Sequence, residues 1–152
     1  MIEIFTDGAS SGNPGPGGYG IILRSGIHYK ELSQGYRKTT NNRMELLAVI
    51  VALESIKKLK QDVMVYSDSK YVIDAIEKKW VFGWKQKGFI GKKNPDLWQR
   101  FLDVYPQQKV QFTWVRGHAG HAENERCDQL AVAAAKKVSE WKIDVVFERE
   151  NP

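Results

Sequence analysis

The order of apolar periodicities along this chain leaves little freedom of architecture. Three strand-like runs come first, IEIFTD from Ile2, YGIILR from Tyr19 and IHYKELSQGY from Ile27, and they read as a meander. A helical run follows, NRMELLAVIVALESIKKL, with Leu46, Val49, Ile50, Leu53 and Ile56 on one stripe. Thr40 or Asn41 is its expected N-cap, and Glu45 is expected in its first turn. Then come the strand VMVYSD, the helix SKYVIDAIEKK, a helix in NPDLWQRFLDVY after an Asn-Pro signal, and the strand VQFTWV. A last helix runs from Ala122 or Glu123 to Lys137 or beyond. A meander followed by strand and helix in alternation implies an α/β fold, a mixed sheet covered by helices. The segment GASSGNPGPGG, from Gly8, is too rich in glycine and proline to read as a regular element. The tail IDVVFERENP has no evident partner in the pattern, so residues 142–152 are expected to fray or to add a short edge contact.

A chain of 152 residues and 17.4 kDa fits one domain over residues 1–152. It holds no apolar run near the ~20 residues of a membrane span, and MIEIFTDG lacks the basic flank and cleavage site of a signal peptide, so the expected address is the cytoplasm with no membrane partner. The single cysteine, Cys127, cannot form an intramolecular disulfide and reads as a small buried apolar residue.

Four carboxylates fall where these elements would bring them to one sheet edge. Asp7 ends the first strand-like run, Asp68 ends VMVYSD, Glu45 opens the long helix and Asp128 lies in ENERCDQLAVAAAKKV. An aspartate after a strand often starts a turn, but two helix-borne acids aimed at the same edge are not explained by turns. Reactive groups in open α/β sheets gather at the carboxyl ends of parallel strands. Clustered anions repel, and divalent cations relieve that. Oxygen ligands without paired histidine or thiolate suit Mg²⁺, with Mn²⁺ as substitute, and two such ions ~4 Å apart can drive in-line displacement at phosphorus.

The net charge of +5 is local. Lys78, Lys79, Lys85, Lys87, Lys92 and Lys93 occupy an acid-free stretch, and the other 17 basic and 18 acidic residues leave −1. Trp80, Phe82, Trp84 and Phe89 interleave with those lysines, offering cations for phosphates and flat faces for sugars or bases. His118, between glycines 117 and 120, sits where a mobile acid or base could act, whereas His28 and His121 carry no such signal. The glycine-rich segment lacks the GxxxxGK[ST] pattern and precedes a strand, so it is not a nucleotide P-loop; a turn permitting close substrate approach fits it better.

Taken together, TDGASSGNPGPGGYG, TTNNRMELLAVIVAL, YSDSKYV, the basic aromatic segment ending in NPDLWQR, and WVRGHAGHAENERCDQLA resemble bacterial type 1 ribonuclease H over residues 1 to about 141. The resemblance implies the ribonuclease H-like fold: a five-stranded mixed sheet, second strand antiparallel, flanked by helices on both faces. It implies hydrolysis of the RNA strand of RNA/DNA hybrids to 5′-phosphate and 3′-hydroxyl ends by a monomer using two Mg²⁺ ions. By it Asp7, Glu45, Asp68 and Asp128 match metal-binding carboxylates, and His118 matches a loop histidine of catalysis. Asn13, Asn41 and Asn42 match hybrid contacts, Thr40 and Asn41 a DNA-phosphate pocket, and Lys78, Lys79, Trp80, Trp84, Lys85 and Lys87 the basic protrusion. Asn124 and Glu125 fall beside the metal site. The chain departs from its best-known relatives in carrying Lys70 in place of glutamine, Ser10 in place of cysteine in some, and a shorter protrusion. Two other readings of the same residues are an integrase-like strand-transfer domain that cuts DNA, and a hybrid-binding module whose acids are structural.

Overall fold

A computed structural model of the chain describes residues 1–116 and 121–152. Five strands, β1 (Ile2–Ser10), β2 (Gly15–Ser25), β3 (His28–Thr39), β4 (Asp62–Ser67) and β5 (Lys109–Trp114), form one sheet in the order β3-β2-β1-β4-β5. The meander supplies the antiparallel half, and helical crossovers make β1, β4 and β5 parallel, so β2 alone runs against the rest. The helices are α1 (Asn41–Glu54), α2 (Lys70–Glu77), α3 (Trp80–Gln86), α4 (Pro95–Val104), α5 (Ala122–Lys136) and α6 (Val145–Glu150). This is the mixed, helix-covered sheet that the periodicities require.

Side chains alternate across β1 and divide the core between the two faces. Ile4 joins the large cluster built on α1, α2 and α4, whereas Phe5 packs with Ile22 and with Cys127 of α5. Cys127 is fully buried, its thiol donates to the Phe5 carbonyl oxygen at 3.2 Å, and burial pushes it up to about 12. An inert packing role follows.

Three readings from the sequence need correction. The apolar residues of α1 do not form a single stripe: Met44, Leu47, Ala48 and Ala52 are buried along with Leu46, Val49, Ile50 and Leu53, because α1 lies between the sheet and α4. Ile56 lies beyond the helix, and Glu45 is its fifth residue rather than part of its first turn; Thr40 is the cap. The glycine-rich segment is largely strand, with Ala9 opposite Gly18 and Ser10 opposite Gly17. Backbone pairing needs no side chain there, and the missing side chains admit helices: a Cβ on Gly18 would overlap the carbonyl oxygen of Ala131 in α5. Asp7 therefore sits within β1, not at its end.

The tail adds a short edge contact, one of the two outcomes expected of it. Lys142 bridges to β3 through Gly35 and Arg37, Phe147 is buried, and Glu148 accepts from Arg37 at 2.9 Å. Asp144 is held by a buried cation. Arg43 uses all five of its guanidinium N–H groups, on both oxygens of Asp144, both of Asp96 and the side-chain oxygen of Asn94. A buried charge needs such saturation, and the tail supplies part of it.

Candidate active site

Parallel pairing of β1 with β4 sets Phe5 beside Tyr66, so two residues further along each chain Asp7, still within β1, and Asp68, just past β4, stand side by side. Glu45 arrives from α1 because position 8 is glycine. A Cβ on Gly8 would collide with the backbone nitrogen of Glu45, and the bare Gly8 N–H donates both to Asp7 Oδ1 and to Glu45 Oε1 at 3.0 Å. Carboxylate oxygens of Asp7, Glu45 and Asp68 can then lie within 4.8 Å of one another. Asp128, half-buried on α5, lines the same cavity of about 470 Å³.

The electrostatics of this cluster are strained in the way a cation would relieve. Asp7 and Glu45 are 3% and 4% exposed, and Asp7 Oδ2 and Glu45 Oε2 have no hydrogen-bond partner among the described residues. Burial pushes the Asp7 carboxyl up to about 7, the neighbouring Glu45 carboxyl works against that rise, and repulsion from Asp68 and Asp128 adds to it. Glu45 is driven well above the ordinary range by burial and then by Asp7, against the pull of the Gly8 N–H. An all-oxygen donor set with two orphaned, buried oxygens fits a hard divalent cation.

The other sequence candidates divide into two groups. Asn41 and Asn42 line the cavity together with Ser10, Ser69, Lys70 and Tyr71, and Asn13 reaches them by accepting the Asn41 backbone N–H at 3.1 Å. Thr40 caps α1 by accepting from the Arg43 N–H at 3.3 Å. The basic aromatic residues lie outside the cavity, from the end of α2 through α3. Trp80 is 47% exposed beneath Lys78, whose ammonium stands 5.0 Å from its ring centroid, while Trp84 packs edge-on against buried Trp98. Lys79, Lys85 and Lys87 form no ion pair among the described residues, which leaves them available to phosphates. Asn124 is buried on α5 with its side-chain oxygen unpartnered among the described residues, and Glu125 is exposed. His118 lies outside the described residues.

Three structural supports had no clear sequence signal. In the sequence Arg43 and Asp96 are only members of helical runs and Asp144 part of the tail, yet together they pin the start of α1, where Asn41, Asn42 and Glu45 sit. Asn94 extends this network by donating to the Tyr71 hydroxyl at 2.9 Å, which also accepts from Trp98. Only spacing between distant segments joins these residues, and no local motif records it.

Comparison with known proteins agrees with this geometry. The RNase H family model matches residues 1–136. The ribonuclease H of Desulforamulus reducens is 58% identical over 141 residues, covering 90% of this chain and 88% of that protein. The ribonuclease HI of Shewanella oneidensis is 49% identical over 156 residues, covering 99% and 97%. Among solved structures, LC9-RNase H1, a type 1 RNase H with the type 2 active-site motif, superposes with a TM-score of 0.79 at 34% identity, over 88% of this chain and 71% of that one. LC11-RNase H1 in complex with an RNA/DNA hybrid superposes with a TM-score of 0.68 at 26% identity, over 92% and 100%. The chain belongs to the ribonuclease H family.

Proposed function

We propose that this protein is an endoribonuclease that hydrolyses the RNA strand of RNA/DNA hybrids, acting as a cytoplasmic monomer. The observation that carries the reading is the pair of buried, unpartnered carboxylate oxygens on Asp7 and Glu45, converging with Asp68 and Asp128 on one cavity. Asp7, Glu45, Asp68 and Asp128 would hold two Mg²⁺ ions, which when bound supply activation of water and stabilisation of charge on the leaving oxygen. In the reaction a water oxygen forms a bond to phosphorus and the bond to the 3′-oxygen breaks, giving 5′-phosphate and 3′-hydroxyl ends. His118 serves proton transfer to the leaving oxygen or release of the product.

Selectivity follows from the groove shape of the hybrid. A minor groove that is wide and shallow displays 2′-hydroxyls on one strand only, and Asn13, Asn42 and backbone groups of the glycine-rich segment can require them without reading base sequence. Thr40 and Asn41 seat a phosphate of the uncut strand, and Lys78, Lys79, Trp80, Trp84, Lys85 and Lys87 grip the duplex outside the cavity. Binding is then salt-sensitive and nearly indifferent to sequence. No helix among the described residues is long and apolar enough to cross a membrane.

Incubation of a labelled hybrid, an RNA duplex and a DNA duplex with protein and Mg²⁺ tests this reading. Cleavage confined to the RNA of the hybrid, with 5′-phosphate ends, is the expected result. Cleavage of the DNA duplex would support the strand-transfer reading instead, and an intact hybrid would leave only a binding module.

A further inference from the structure

Among the twelve described residues lining the acidic cavity, Lys70 is the one cation. It is the first residue of α2, two positions after Asp68, where the helix dipole disfavours positive charge. Its ammonium rests 4.0 Å from the ring centroid of Trp114, the last residue of β5. The indole is itself tied to the acidic segment, its ring N–H donating to the Asp68 carbonyl oxygen at 3.3 Å. Lys70 is exposed and Trp114 is 40% exposed, so the ammonium sits on an open aromatic face and not in a packed core.

This arrangement has a physical use. A phosphodiester must enter a cavity lined by Asp7, Glu45, Asp68 and Asp128, and a cation on its rim offsets part of the repulsion felt by the phosphates on either side of the one being cut. The indole gives the ammonium a resting place outside the carboxylate cluster. A cation over an exposed ring is held only weakly, whereas a phosphate offers a full charge, so the side chain can exchange one partner for the other.

We propose that Lys70, presented by Trp114, is a phosphate-binding subsite for the strand being cut. This rests on the hybrid-cleaving reading above. The contact is to phosphate rather than to a sugar hydroxyl, so it adds affinity and salt dependence without adding selectivity between duplex types. A residue of uncharged polar character at this position would lack that contribution.

The test is binding of a fluorescent hybrid and of a matching RNA duplex, without divalent metal, from 0.05 to 1 M salt. Wild type, Lys70→Gln and Lys70→Arg are compared, and each protein is also assayed for hybrid cleavage with Mg²⁺. Loss of one phosphate contact lowers the slope of log K against log salt by about 0.9, weakens binding roughly five- to tenfold near 0.1 M salt and vanishes towards 1 M. Lys70→Gln should lose the same factor for both duplexes and raise KM with kcat little changed; Lys70→Arg should restore the slope. An unchanged slope in Lys70→Gln, or a loss confined to the hybrid, overturns the inference while wild-type cleavage keeps the functional reading intact. If the wild type itself neither binds nor cuts the hybrid, both fall.

Discussion

Asp7→Asn is expected to make the metal-free protein more stable at pH 8, although it removes a residue proposed to be essential. In the folded chain the Asp7 carboxyl is raised from 3.8 to about 7. Each tenfold change in proton affinity corresponds to about 1.4 kcal/mol, so the full ionisation penalty is about 4 kcal/mol above pH 7. Asparagine keeps the oxygen that accepts the Gly8 N–H at 3.0 Å, so this contact survives the change. Its amide still has to be buried, which reduces the net gain to about 1–2 kcal/mol. For a domain of this size that is roughly 3–8 °C in Tm. The sign follows from linkage: the folded state holds a proton on Asp7 that the unfolded chain releases near pH 4, so wild-type stability falls as pH rises from about 4 to about 7. The advantage of Asp7→Asn should therefore shrink to nothing by pH 4–5. Thermal melts in chelator across pH 4–8, paired with hybrid cleavage, measure this. A variant less stable than wild type at pH 8, or a difference that does not change with pH, refutes the view that these carboxylates are held together against their own repulsion.

Four further outcomes are expected. Mg²⁺ or Mn²⁺ should raise the wild-type Tm by mass action and should raise that of Asp7→Asn far less, as read in melts with graded metal. Asp144→Ala leaves Arg43 short of a buried partner and should cost about 3–5 kcal/mol in denaturant unfolding, whereas a tail that merely frays would show no loss. Deleting residues 85–93 removes Lys85, Lys87, Lys92 and Lys93 and should flatten the salt slope of hybrid binding by up to about 4, with unchanged affinity excluding the proposed grip. His118→Ala should slow turnover and leave Mg²⁺ binding nearly unchanged, which single-turnover cleavage and calorimetry separate.

The strands and helices were legible because their periods are set by which side faces the core, and each period lies within a few consecutive residues. The glycine-rich segment misled because turn propensity and close helix approach call for the same residue. In Gly8, Gly18 and Gly20 the absent Cβ is demanded by α1 or α5 crossing the sheet, and nothing in their neighbourhood announces a helix more than thirty residues away. The acids were legible as a set because each falls on a strand or helix aimed at the same sheet edge, and parallel pairing carries Asp7 and Asp68 to the same level. Their depth was not, since burial of Glu45 depends on how closely α1 lies against Gly8. The anchoring of the tail was hidden for a related reason: Asp144 gains its partners from Thr39 and Arg43, 105 and 101 positions away. Lys70 stood out as a departure from the family pattern, but its seat on Trp114 needed β5 to be placed beside β4.

If the folded acids form a seat for divalent cations at the cleavable phosphate, the ions themselves are the most direct witness. Anomalous scattering from crystals of Asp128→Asn soaked in Mn²⁺ with a bound hybrid locates them. Metal density is expected against the oxygens of Asp7, Glu45 and Asp68, touching a phosphate of the RNA strand. Manganese bound elsewhere, with Asp7 and Glu45 paired only to each other, would contradict that seat.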